Sequence, residues 1–219
     1  MITNYHTKNV TTLNLVARIA SDLANPLVIP LFVLGIIGYE VQLTGSNLVM
    51  LVGIAAIFYL LIPVTVALLI FSRRQENSLD FPERSSRTGL YSTSILSAMV
   101  GGILIVELYS ISIIQLTGIV FFINLIFAFF INLRWKISVH SGALTTGGTC
   151  LLLFGVIYPG SGVSVSAGLL LLFIILPVVF WSRYRLNVHS LAELSGGIFV
   201  GLVLTGSMFL LWLLNITWS

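Results

Sequence analysis

Seven stretches of this chain run apolar, most of them for eighteen or more residues without a charge: roughly 26–43, 47–72, 88–106, 108–133, 137–158, 161–182 and 191–216. About twenty such residues match the hydrocarbon thickness of a bilayer. In lipid the backbone must satisfy its own N–H and C=O groups, so runs of this length are helices. The sequence therefore predicts an all-α, polytopic transmembrane helix bundle of six to seven spans. The first stretch is the weakest, being short, interrupted by Pro30 and ending near Glu40. Charged residues make up 8% of the chain, against about a quarter in a soluble domain. With 58% hydrophobic residues and a mean hydropathy of +1.09, the apolar surface must be absorbed by lipid rather than by a water-driven core.

Residues 9–24 read as a helix lying along the membrane interface, apolar on one side with Arg18 and Asp22 on the other. The expected organisation is an N-terminal interfacial segment, 1–24, and a single transmembrane domain, 25–219. The opening residues lack the basic, apolar and small-residue regions of a cleaved signal, so the first span is expected to insert as part of the mature protein. Only ELYSIS separates the third and fourth stretches, which predicts a tight helical hairpin. Neither an internal repeat nor a low-complexity tract is present, which suggests one bundle. Cys150 is the only cysteine, which excludes an intramolecular disulfide or a multi-cysteine metal site. Ten basic residues against seven acids are too few for a nucleic-acid footprint.

If each stretch crosses once, Lys8, Arg18, Arg73, Arg74, Arg84, Arg87, Arg134, Lys136, Arg183 and Arg185 all fall on one face and none on the other. Setting aside Arg84, Arg87, Lys136 and Arg183 as candidates for function still leaves six against zero. The positive-inside rule then puts this face in the cytoplasm, and the protein is expected in the plasma (inner) membrane. Trp135, Trp181 and Tyr184 near this face, and Tyr39, Tyr109, Tyr158 and Trp218 near the other, are expected to form two aromatic belts.

The same parity gathers three polar segments, each running into an apolar span, and charges at a membrane edge point to function because they are costly there. In the first, Asp80 and Glu83 have capping-box spacing, and Arg84 and Arg87 share one helix face. Those arginines suit lipid headgroups or a gripped phosphate. In the second, Ser138 is placed to cap the fifth span and His140 to lie in its first turn, where free N–H groups suit an anion. His140 read alone is more often a satisfied interfacial residue than a catalyst, and Gly142, Gly147 and Gly148 fit close helix packing. In the third, His189 and Glu193 are four apart, so on a helix the carboxylate can hold one imidazole nitrogen and leave the other to attack. Arg183 could meet a phosphate from the loop side. Glu193 could also serve the positive end of its helix, and Arg185 could be a topology charge.

These segments resemble the signature of the type-2 phosphatidic acid phosphatase superfamily, which reads K-x6-R-P, then P-S-G-H, then S-R-x5-H-x3-D. Here the third motif stands as Ser182-Arg183, His189 and Glu193, with Glu for Asp. The second, at 137–140, keeps Ser138 and His140 but has Ile137 and Val139. The first, at 80–88, aligns Arg87 but has Asp80 for the lysine and Thr88 for the proline. The resemblance implies that His189 is the nucleophile, oriented by Glu193, and that His140 protonates the leaving alkoxide. It further implies that Arg87, Arg183 and Ser138 hold the phosphate oxygens, with Arg84 or Lys136 standing in for the missing lysine. No metal or cofactor is implied. Many relatives present the site to the outer or lumenal side, whereas the basic residues here argue for the cytoplasm.

The expected activity is hydrolysis of a lipid phosphate or polyprenyl diphosphate through a phosphohistidine. The partners are that substrate and membrane lipids, with no nucleic acid. Two alternatives remain open: an inactive family member serving as a scaffold, and a lipid transporter. A transporter should carry ionisable groups deep within broken spans, whereas most of those here sit at one edge.

Overall fold

The computed structural model describes residues 12–74 and 84–218, the side chains of 71, 73, 74, 84–87 and 216–218 excepted. The helices are α1 (Thr12–Leu23), α2 (Ile29–Glu40), α3 (Gly45–Ala55), α4 (Ile62–Arg74), α5 (Arg84–Leu108), α6 (Ser112–Asn132), α7 (Val139–Ile157), α8 (Gly162–Leu170), α9 (Leu176–Arg185) and α10 (Leu191–Trp218). Helices α3 and α4 form one rod through a π-helical turn, Ala56–Leu61, and α8 and α9 another through Leu171–Ile175. Six rods are long and apolar enough to cross a membrane, and no strand occurs among the described residues. The chain is a multi-pass, all-α membrane bundle.

Both π-helical turns lie beside a proline, Pro63 and Pro177. Proline has no N–H to donate and its ring crowds the carbonyl four residues back, which a locally wider turn relieves. The first such turn is then tied to its neighbours. Ser97 Oγ donates to Phe58 O at 2.6 Å from α5, and Tyr59 Oη donates to Gly118 O of α6 at 3.2 Å.

The weak first stretch is α2, whose 12 residues extend only about 18 Å against a hydrocarbon layer of about 30 Å. It nevertheless joins the two ends of the bundle. At one end Glu40 accepts hydrogen bonds from the start of α8. At the other the chain leads back to α1, which meets Ser182 and Arg183 at the end of α9. Val33, Leu34 and Ile37 of α2 are fully buried in the core, so protein packing compensates for its length. The alternation of faces assumed for seven crossings therefore holds for these contacts.

The expected hairpin is present, turning at residues 109–111 between α5 and α6. The aromatic belt expected at this end is met only in part among the described residues. Tyr109 is buried and its hydroxyl donates to Asn47 O at 2.7 Å, while Tyr158 stacks on Phe154 at 4.7 Å. Tyr39 alone of that group is exposed, and the side chain of Trp218 lies outside the described residues. At the opposite end Trp135, Trp181 and Tyr184 are exposed as expected.

Glycine sets the position of the site by letting α7 and α10 touch. A Cβ on Gly201 would lie 2.7 Å from Gly142 O, and one on Gly197 would collide with Ser138 O. On its other flank α7 presents Gly147 to Ile29 and Gly148 to Leu172, each leaving only 2.5 Å for a Cβ. These glycines serve packing, as their sequence context suggested. Their consequence for function is that the starts of α7 and α10 lie side by side.

Candidate phosphate-binding site

Where α7 and α10 begin, two helix starts share hydrogen bonds. Ser138 caps α7, its Oγ accepting from Ser141 N–H at 3.3 Å and lying 3.2 Å from Ser141 Oγ. The Ser138 N–H donates to the main-chain oxygen of Glu193 at 3.0 Å. The second motif is thus fastened directly to the third, with Ser138 fully buried.

The start of α10 is a capping box. Ser190 N–H donates to Glu193 Oε2 at 2.9 Å, and Glu193 N–H donates to Ser190 Oγ at 3.3 Å. The same carboxylate oxygen lies 3.3 Å from His189 Nδ1. His189 stands outside the helix, one residue before the cap, which corrects the expectation that the pair would share a helical face. The capping box, rather than helical periodicity, brings them together. Glu193 therefore does both things the sequence left open: it satisfies a helix start and orients an imidazole.

Burial, then the cations of Arg183 and Lys136, push the pKa of His189 down to about 4, against the opposing pull of Glu193. At neutral pH the ring is uncharged. With Nδ1 turned to the carboxylate, Nε2 is the nitrogen left for chemistry. Lys136 reaches the same corner from the α6–α7 connection, donating from Nζ to Val188 O at 2.9 Å. Arg183, only 7% exposed, donates from Nη1 to Ser21 Oγ at 3.0 Å. Its neighbour Ser182 donates from Oγ to Ala17 O.

The structure thus brings together Lys136, Ser138, Arg183, His189 and Glu193. His140 is half-buried in the first turn of α7, two residues after the cap, as expected. Arg185 is exposed, in keeping with a topology charge. Arg84 and Arg87 lie in the first turn of α5, but their side chains, and Asp80 and Glu83 altogether, fall outside the described residues. Their helix starts at the same end of the bundle, because Tyr91 Oη accepts from Asn132 Nδ2 at 2.7 Å near the end of α6. Among the described residues no three His, Cys, Asp or Glu side chains lie close enough to share a metal ion.

Sequence reasoning missed Ser21 and Ala17, which hold Arg183 and Ser182 from α1. Their spacing of four, on a side of α1 away from its large aliphatic residues, is the signal that could have found them. A cavity of about 90 Å³ lies directly inward of Ser138, lined among others by Pro30, Asn124, Gly142, Thr146 and Gly201. No family model, no curated protein and no solved structure matches this chain.

Proposed function

We propose that this protein is an integral membrane phosphatase that hydrolyses a lipid phosphate or diphosphate through a phosphohistidine, as its resemblance to the type-2 phosphatidic acid phosphatase superfamily implies. The observation that carries the reading is a buried, neutral imidazole whose Nδ1 faces a carboxylate while two cations stand nearby. That combination makes a nucleophile for an anionic centre.

Nε2 of His189 attacks phosphorus in line, the bond from phosphorus to the leaving oxygen breaks, and His140 gives that oxygen a proton. Water then attacks the phosphohistidine, His140 takes a proton from it, and the P–Nε2 bond breaks to release phosphate and return His189 to its neutral form. Glu193 keeps the proton of His189 on Nδ1 and stabilises the charge that the ring acquires. Arg183, Arg87 and Ser138 hold the phosphate oxygens, and Lys136 or Arg84 supplies the cation that Asp80 does not. Positioning and charge neutralisation account for most of the rate in such a transfer.

A lipid substrate fits because the site lies at the ends of the apolar spans and the cavity beside Ser138 is lined by residues of several helices. Exposed Arg18, Arg134 and Arg185 at the site end support a cytoplasmic orientation, in the plasma (inner) membrane. Gly45, at the opposite end and with open space about it, is the better place for a reporter cysteine than Gly160, whose φ of +102° suits glycine alone. In a Cys150→Ala background, an impermeant thiol reagent should label Gly45→Cys in intact cells; protection would reverse the orientation. The activity itself is tested by phosphate release from phosphatidate, phosphatidylglycerol phosphate and polyprenyl diphosphates, using purified protein in EDTA with orthovanadate as inhibitor. Release that persists in His189→Ala would reject the mechanism, and no release from any lipid would favour a scaffold or transporter.

A further inference from the structure

Helix α1 has three sides. Leu13, Leu15, Val16, Ile19 and Leu23 are exposed, a broad aliphatic surface fit for lipid. Arg18 and Asp22 are exposed on the polar side. Ala17 and Ser21, one turn apart, are buried against α9. This third side is small, and turns a carbonyl and a hydroxyl toward the end of α9. It carries the two atoms that receive Ser182 and Arg183.

We propose that Ser21 is a positioning residue of the site: its hydroxyl holds the Arg183 guanidinium where an anion would meet His189, so that α1 sets the cationic half of the site from outside the span that carries it. The proposal rests on the phosphate-binding reading of Arg183. Three observations support it. The guanidinium is buried, so a lost acceptor is not replaced by bulk water. Adjacent residues 182 and 183 are both bonded to α1, which fixes the end of α9 against it. Arg183 also acts electrically on His189, together with Lys136 from the α6–α7 connection and Glu193 from α10.

The test compares Ser21→Ala with Ser21→Thr in the full-length protein. With Ser21→Ala, KM for the lipid phosphate and Ki for orthovanadate should both rise about tenfold, one hydrogen bond to a charged group being worth about that factor. The change in kcat should be smaller, and Ser21→Thr should restore both constants. Unchanged KM and Ki in Ser21→Ala would overturn the proposal, as would a loss that Ser21→Thr shares in full. A second readout needs no turnover: the rate of carbethoxylation at His189 by diethyl pyrocarbonate, followed against pH by mass spectrometry. Loosening Arg183 should move its inflection upward in Ser21→Ala and leave it in place in Ser21→Thr. If the wild type neither releases phosphate nor binds orthovanadate, the phosphatase reading fails, and the titration alone decides the positioning role. Should Ser21→Ala not purify as a folded protein, Ser21→Cys takes its place in the same comparison.

Discussion

Among the described residues two carboxylates serve helix starts, at opposite ends of the bundle, and they are used differently. Glu40, at the end of α2, reaches across to α8 and accepts from Val163 N–H at 3.0 Å, from Ser164 N–H at 3.2 Å and from the Ser164 hydroxyl. Glu193 belongs to the helix it caps, and the oxygen that takes the Ser190 N–H also faces the ring of His189. Glu40 satisfies orphaned N–H groups and fastens a short helix to a long one. Glu193 has an imidazole beside it, with Arg183 and Lys136 close enough to shift that ring. The same device, a carboxylate at a positive helix end, is structural where only backbone and hydroxyl surround it. It serves chemistry where a titratable ring and cations are added.

The sharpest way to break this contrast is to remove each partner in turn. His189→Ala should lower phosphate release at least ~10³-fold with little change in thermal stability, since a lost nucleophile is not replaced. His140→Ala should cost about 10²- to 10⁴-fold, the range for a lost general acid. Glu193→Gln keeps an acceptor for the helix start but removes the charge facing Nδ1, and should cost up to about 10⁴-fold in kcat, the loss seen when an oriented imidazole is held in the wrong tautomer. Glu40→Ala, by contrast, should leave kcat and KM of the folded protein unchanged while lowering its stability by roughly 1–2 kcal/mol, the usual worth of a helix cap. A loss of turnover in Glu40→Ala comparable to that in Glu193→Gln would erase the distinction between the two ends.

The pH dependence sharpens the same contrast. Because burial and the two cations hold His189 neutral down to about pH 4, the acid limb of kcat/KM governed by it should lie near there, well below the usual imidazole range near 6.5. Its linkage to stability has a definite sign. The unfolded ring binds a proton between about pH 4 and 6.5 and the folded ring does not, so this contribution is full above about 6.5 and is lost as the pH falls towards 4. Replacing Lys136 by Met should move the acid limb upward, a smaller effect than any of the losses of turnover above.

Much of this arrangement was legible in the sequence, for identifiable reasons. Long uncharged runs fix the spans because lipid leaves the backbone no other option. Ser138 announced itself as a cap, and the short ELYSIS segment as a hairpin turn, because both depend on neighbours in the chain. The contacts that were hidden pair distant residues without a periodic signal. Ser21 and Arg183 are separated by 162 positions, and Glu40 and Ser164 by 124. His189 and Glu193 were paired correctly for a different reason from the real one, since spacing by four fits both a helical face and a capping box with its preceding residue. The buried place of Tyr109 was missed because an aromatic residue at a span end looks the same whether it anchors in lipid or clamps a turn.

The central claim is that the imidazole beside Glu193 forms a covalent bond to phosphorus. Purified protein mixed with a lipid phosphate carrying radioactive phosphorus, quenched within the first turnover in alkali and digested, should yield an acid-labile label on the peptide containing His189, and none from His189→Ala. Labelled phosphate released at full rate while that peptide stays unlabelled would contradict the account.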